Sequence, residues 1–205
     1  MVSSSISGEG KTFTTINLAT VFAMSGKKTL IVGADMRRPK IFQDFNRSND
    51  VGLSTYLSGI SDFDEVIQPT DISNLFLVSG GPVPPNPSEL LLTSKFETFI
   101  KKAIEVYDFV LIDTPPLALV TDAFVMSKFV DHTVFVMRQN YSPKEFVRSI
   151  DEYYRSGKIQ NISILLNDIY KSGLGYGYGQ SYAYQYGYGY GAYGSYGGGY
   201  YSEDK

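Results

Sequence analysis

The sequence predicts an α/β fold: a doubly wound, mostly parallel sheet flanked by helices. Three observations carry the prediction. Short apolar runs alternate with helix-length segments, and the runs are apolar across their whole width, as strands covered on both faces must be. The stretch Ser5-Ile-Ser-Gly-Glu-Gly-Lys-Thr12 fits the phosphate-loop pattern G-x-x-x-x-G-K-[ST], with Ser5 where the first glycine usually stands. The run Phe109-Val-Leu-Ile-Asp113 is an apolar strand that ends on a carboxylate. Together they describe a nucleotide-binding fold of the P-loop NTPase class.

The loop has specific chemistry. Successive backbone N–H groups wrap a polyphosphate, and Gly8 and Gly10 allow close approach and positive φ. Lys11 brings a point charge to the β- and γ-phosphates, and the Thr12 hydroxyl is placed for Mg²⁺. Phe13 to Met24 reads as a helix whose positive end faces the phosphates. Only Met1 to Ser4 precede the loop, so either the strand there is very short or the chain begins inside its domain; the latter is the expectation.

Lys28 to Ala34 is a buried strand ending at Asp35-Met-Arg-Arg-Pro. A carboxylate at that strand end sits where open α/β sheets bind ligands, so Asp35 is a metal candidate and Arg37 and Arg38 can meet phosphate or acidic side chains. Gly52 to Leu57 and Asp64 to Ile67 read as short helical pieces. Leu75 to Ser79 is a strand, followed by the proline-rich loop Gly80 to Pro87. Ser88 is expected to cap one helix running to about Val106. Asp113 closes the Phe109 strand in the Walker B arrangement, able to hold a metal through water or through the Thr12 hydroxyl. Asp122 is expected to cap the next helix. Thr133 to Met137 is a strand, Lys144 to Ser156 a helix and Ile162 to Asn167 the last strand. Asn167 either faces a nucleotide base or ends an ordinary turn. The single histidine, His132, has no triad or metal cluster around it and is expected to be structural or exposed.

Composition limits the function classes. A net charge of −3 gives no basic surface for nucleic acid. The absence of cysteine excludes disulfide and thiol chemistry. No apolar run reaches the roughly 18 residues that span a bilayer. The chain divides at 172. Residues 1–171 read as the P-loop domain. Residues 172–205 are a Gly/Tyr-rich tail expected to be disordered, because it has almost no aliphatic residue to offset its ordering entropy. Besides Tyr176 and Tyr178, the tail holds Tyr182, Tyr184, Tyr186, Tyr188, Tyr190, Tyr193, Tyr196, Tyr200 and Tyr201. It reads either as a self-associating segment or as a string of phosphorylatable hydroxyls.

The loop, Asp35, Asp113 and the terminal tyrosines occur together in one family. From Val2 to Asn167, and in the tail, the sequence resembles the cytoplasmic kinase domain of bacterial tyrosine kinases, the BY-kinases, which are linked to polysaccharide synthesis and export. The segments ADMRRP (34–39), GPVPPNPSELL (81–91) and DTPP (113–116) before VTDA (120–123) narrow it to that family.

The resemblance implies an autokinase using ATP and Mg²⁺. Ser7, Gly8, Glu9, Gly10, Lys11, Thr12 and Phe13 would bind the nucleotide. Lys11, Asp35 and Asp113 would act in catalysis, Thr12, Asp35 and Asp113 would hold the metal, and Tyr182 to Tyr201 would accept phosphate. It also implies a ring-shaped homo-oligomer, a membrane chain-length or co-polymerase domain in cis or in trans, an opposing tyrosine phosphatase, and a place on the inner face of the cell membrane. A ring-building helix with a glutamate–arginine motif would lie upstream. One departure stands out: the family motif D-x-D-x-R falls on Gly33-Ala-Asp35-Met-Arg37, so its first aspartate is Gly33. That keeps open an ATP-binding pseudokinase or scaffold. A partitioning ATPase of the MinD/ParA type is a further alternative, but it would carry a lysine where this loop has Ile6.

Overall fold

The computed structural model describes residues 1–116 and 122–170. The tail with all its candidate phosphoacceptors, and residues 117–121, lie outside the described residues. The three residues of β1 (Val2–Ser4) are buried and lead straight into the phosphate loop. Helix α1 (Lys11–Met24) starts two residues earlier than the sequence pattern indicates. Gly10, at φ 97°, turns the chain into the helix and so sets its start at Lys11. Next come β2 (Thr29–Gly33), the short helices α2 (Ile41–Asp44) and α3 (Leu53–Leu57), then β3 (Gln68–Pro69) and β4 (Leu75–Val78). The second half holds α4 (Pro87–Leu91), α5 (Ser94–Val106), β5 (Phe109–Asp113), α6 (Asp122–Met126), β6 (Thr133–Arg138), α7 (Glu145–Arg155) and β7 (Ile162–Asn167).

The sheet has seven strands in the order β3-β4-β2-β5-β1-β6-β7. Every pairing is parallel except the short antiparallel β3–β4 edge. All the parallel strands therefore end on one side, and the loop, Gly33, Asp113, Arg138 and Asn167 gather there. Alternation along the strands covers both faces. Leu30, Val32, Val78, Ile112 and Phe135 pack with Phe96, Phe99 and Ile100 of α5. Ile31, Leu75, Leu77 and Leu111 pack with Ala19 and Ala23 of α1 and with Ile41 and Phe45. The two alanines, four residues apart, let α1 lie close to the sheet and bring the loop down onto the strand ends.

Two expected helices differ. Asp64–Ile67 is a turn: Phe63 and Val66 are buried, but the chain must straighten at Gln68 to pair with β4, which leaves too few residues for a helical ladder. The helix expected from Ser88 to Val106 is broken in two. Thr93 is extended (φ −74°, ψ 153°) and begins α5, while its hydroxyl donates to Leu90 O at 2.7 Å. Pro87 opens α4 at the position where its missing N–H costs nothing, so Ser88 is inside the helix and not its cap. Its hydroxyl accepts a bond from Arg37 Nη2 at 2.6 Å. Asp122 is likewise the first residue of α6. His132 is exposed and pairs with Ser163 Oγ at 2.9 Å.

The α5 face depends on a small aromatic cluster. The fully buried Phe99 ring packs against Tyr56 and Phe63 with centroids 5.3 and 5.4 Å away. Phe99→Ala is expected to lower unfolding free energy by about 3–5 kcal/mol in denaturant titration, because the rigid neighbours cannot close the cavity.

Candidate active site

Gly8 and Gly10 both take positive φ, 85° and 97°, so the loop can fold over its own amides. At both positions a side chain would be strained by the positive φ and would displace a neighbour's tip from the loop. A Cβ on Gly8 would come within 2.8 Å of Tyr141 Oη, and one on Gly10 within 2.2 Å of Asn167 Nδ2. Three successive loop carbonyls are held from outside. Ser7 O accepts from Tyr141 Oη at 2.9 Å, Gly8 O from Arg138 Nη1 at 3.3 Å and Glu9 O from Asn167 Nδ2 at 3.0 Å. Carbonyls fixed outward leave the amides free to converge on an anion. No side chain caps α1 and no acidic residue lies in its first turn, so its positive end is open to the same anion.

Beside the loop lies a cleft of about 310 Å³ lined by Ser7, Gly8, Lys11, Thr12, Gly33, Asp35, Arg38, Lys40, Gly80 and Asp113. Asp113 is buried at the end of β5, and its Oδ2 accepts from Thr12 Oγ1 at 2.8 Å. Burial is the largest influence on it and raises its pKa to about 6, with nearby Asp35 adding to the rise; Lys11 and the Thr12 hydroxyl pull the other way. Asp35 Oδ1 accepts the Arg38 backbone N–H at 3.1 Å, which fixes its place at the cleft wall. Two carboxylates and a hydroxyl are a hard-oxygen donor set that suits Mg²⁺, which keeps several waters. With Lys11 beside them they also suit the nucleotide triphosphate such a metal accompanies.

The structure thus brings together Lys11, Thr12, Asp35 and Asp113. Ser7 and Gly8 line the same cleft, and Gly10 caps the helix above it. The Glu9 side chain is buried in the protein, and the Phe13 ring is 65% exposed. Arg138, Tyr141 and Ser142 went unrecognised in the sequence because they lie some 130 positions from the loop; only the parallel pairing of β1 with β6 makes them neighbours. Asn167 is held at the loop, not at an ordinary turn. A second, larger hollow of about 490 Å³ lies at the opposite strand ends, lined by Leu18, Phe22, Ile104 and Phe109 among others. It is mainly apolar and lacks a phosphate cradle.

Gly33 has a structural cause. A Cβ there would lie 2.9 Å from Ile41 Cγ2 and 3.3 Å from Gly80 N, and Ile41 is fully packed. A side chain at this position could enter only if Ile41 moved.

Comparison with known proteins gives a consistent result. The model of the AAA domain family matches residues 2–164. The chain is 35% identical over 167 residues to the tyrosine-protein kinase YwqD of Bacillus subtilis, covering 82% of this chain and 70% of that protein. It is 40% identical over 176 residues to the tyrosine-protein kinase wzc of Salmonella typhi, covering 85% of this chain but only 24% of that much longer protein. Among solved structures, the kinase domain of the Escherichia coli tyrosine kinase ETK superimposes with a TM-score of 0.78 at 34% identity, covering 87% of this chain and 71% of that one.

Two outcomes test the site's electrostatics and its packing. With its pKa raised from 3.8 to about 6, ionised Asp113 opposes folding above pH 6, and the penalty fades as pH falls and is gone below about 4. In the absence of nucleotide and metal, Asp113→Asn should therefore raise the thermal midpoint at pH 8, and the gain should vanish at pH 4. Gly33→Asp should lower stability by about 1–3 kcal/mol through overpacking against Ile41, and its cost should be smaller when measured in an Ile41→Ala background than in the natural chain, a coupling read from a double-mutant cycle of denaturation titrations.

Proposed function

The chain belongs to the AAA domain family, in the group of bacterial tyrosine-protein kinases, and on that premise we propose that it transfers the γ-phosphoryl of ATP to protein tyrosines, those of its own tail first. The observation that carries the proposal is the convergence of Lys11, Thr12, Asp35 and Asp113 on one cleft at the strand ends. Phosphoryl transfer needs positioning and charge neutralisation more than covalent chemistry, and this cleft offers both.

Lys11 and the first turn of α1 bind and orient the phosphates. Thr12, Asp113 and Asp35 would hold Mg²⁺, and a bound Mg²⁺ would neutralise phosphate charge. Asp35, at the cleft wall, accepts the proton of an attacking tyrosine hydroxyl. Arg38 and Lys40 line the cleft and offer positive charge to the phosphates or to an acidic acceptor segment. The acceptors are Tyr182, Tyr184, Tyr186, Tyr188, Tyr190, Tyr193, Tyr196, Tyr200 and Tyr201, presented by a neighbouring subunit of a ring.

The biological setting follows from the family resemblance: control of capsular or exopolysaccharide synthesis, at the inner face of the cell membrane, with a co-polymerase domain in cis or in trans and a phosphatase to reset the tail. Each phosphate adds about −1.5 to −2 charges, so a phosphorylated tail would repel its neighbours and loosen the ring. Among the described residues no helix is long and apolar enough to cross a membrane, so membrane attachment is assigned to a partner or to another part of the protein.

A second reading, an ATP-binding scaffold, draws on Gly33: the carboxylate of the family motif is absent, and Ile41 packs within 2.9 Å of where a Cβ would stand. Incubation with ATP and Mg²⁺ followed by phosphotyrosine mapping separates the two. The kinase reading expects tail phosphotyrosine that falls about 100-fold or more in Lys11→Ala, the scale of losing a central transition-state charge. Nucleotide binding without any phosphotyrosine, in a protein carrying the upstream region of its relatives, would establish the scaffold instead.

A further inference from the structure

Glu9 is a carboxylate with no exposed surface inside a loop built to bind an anion. A negative charge there repels a polyphosphate, so its presence calls for a geometric reason. Its contacts supply one. Oε2 accepts the Ile6 backbone N–H at 2.8 Å. Oε1 accepts short hydrogen bonds from the Ser5 hydroxyl and from the Ser142 hydroxyl. Ser142 Oγ in turn accepts the Arg138 backbone N–H at 2.7 Å, which commits its own proton to Glu9. The carboxylate therefore ties the first turn of the loop to its middle, and ties the loop to the turn between β6 and α7.

We infer that Glu9 is the positioning residue of the nucleotide loop: through Ser5 and Ile6 it closes the loop on itself, and through Ser142 it couples the loop's shape to the β6–α7 turn. Ser5 is then no accidental replacement of the pattern's first glycine, since glycine would leave Oε1 one donor short. The same turn carries Tyr141, and β6 ends in Arg138, which hold the carbonyls of Ser7 and Gly8. Glu9 thus completes from inside the clamp that these residues apply from outside. Any partner that displaces the β6–α7 turn would be felt as a change in nucleotide affinity. The inference rests on reading the loop as a nucleotide site.

The test measures Mg·ADP affinity by calorimetry, and backbone amide exchange of Ile6 to Gly10 in nucleotide-free protein. Glu9→Ala should weaken Mg·ADP binding roughly tenfold or more and speed loop exchange, because buried donors lose their acceptor. Ser142→Ala, outside the loop, should weaken binding by about 3- to 10-fold, and most of that effect should disappear in the Glu9→Ala background. Glu9→Gln, whose amide can donate to both serines while its oxygen accepts from Ile6, should bind as well as the natural protein or better. A residue needed only for bulk stability would not show that rescue at an unchanged thermal midpoint. Wild-type affinity and exchange in Glu9→Ala would overturn the inference. So would strictly additive effects of Glu9→Ala and Ser142→Ala. If Glu9→Ala fails to fold, Ser142→Ala and Ser5→Ala decide the matter, and wild-type loop exchange in both would overturn it. Faster loop exchange in Glu9→Ala, in a protein whose natural form binds no Mg·ADP, would uphold the clamp and refute the nucleotide reading alone.

Discussion

The bond from Thr12 Oγ1 to Asp113 Oδ2 is the constraint on which the site depends. It joins the first turn of α1 to the end of β5, over a sequence separation of 101 residues. Asp113 is buried and its carboxylate is destabilised as an ion. Such a group persists at neutral pH only if something compensates it, and Lys11, Thr12 and Thr15 do so within the protein. On the proposed reading, the protein without metal carries an electrostatic cost that a bound cation would relieve. The fold makes this possible because β1 lies beside β5 in parallel register, Val2 opposite Asp113, so the loop leaving β1 must pass over that carboxylate.

The loop itself is shaped from two sides. Its cleft-facing side is set by β5, through the bond from Thr12 to Asp113. Its outer side is set by β6 and β7, whose ends supply Arg138, Tyr141, Ser142 and Asn167. The Arg138 guanidinium is further held by Asp168 at 2.8 Å, so the outer support is itself anchored. A phosphate cradle is often described as a property of one short glycine-rich segment. Here its geometry is distributed over the sheet, and the glycines matter because both take positive φ and because a Cβ at either would push Tyr141 or Asn167 off the carbonyl it holds.

The elements that were legible in the sequence share a physical cause. Phe109–Asp113 and Ile162–Asn167 have the expected boundaries because an apolar run bounded by turn residues can be little else in a parallel sheet. That Lys11, Thr12, Asp35 and Asp113 share one cleft was legible for a related reason: phosphate and cation chemistry allows few residue types at few spacings. What the sequence concealed was long-range. The break at Thr93 goes with packing, Leu91 buried and Leu92 exposed, and its one local signal, the Thr93-Ser94…Glu97 start pattern, is masked by the helical spacing of apolar residues on either side. The grip of Ser142 on Glu9 requires knowing that β1 pairs with β6. Glu9 reads in the sequence as one more loop residue facing the nucleotide, whereas its side chain serves the loop's own interior.

Gly33 shows how a departure from a family pattern can be built into packing. Ile41 occupies the space beside the Gly33 Cα and belongs to the apolar cluster that also holds Ala19, Ala23 and Leu111. Removing the carboxylate has two consequences of opposite sign. It takes away a group that could share proton acceptance and metal contact with Asp35. It also spares Asp113 a like charge directly opposite in the neighbouring strand, since Gly33 and Asp113 are register partners. A third acid there would raise the pKa of Asp113 further, and so weaken the carboxylate proposed to hold the metal at neutral pH. On the proposed kinase reading, metal affinity would fall mainly on Asp113 and proton acceptance on Asp35, which is the less buried of the two. Asp35 would then be the residue on which transfer, as distinct from nucleotide binding, turns.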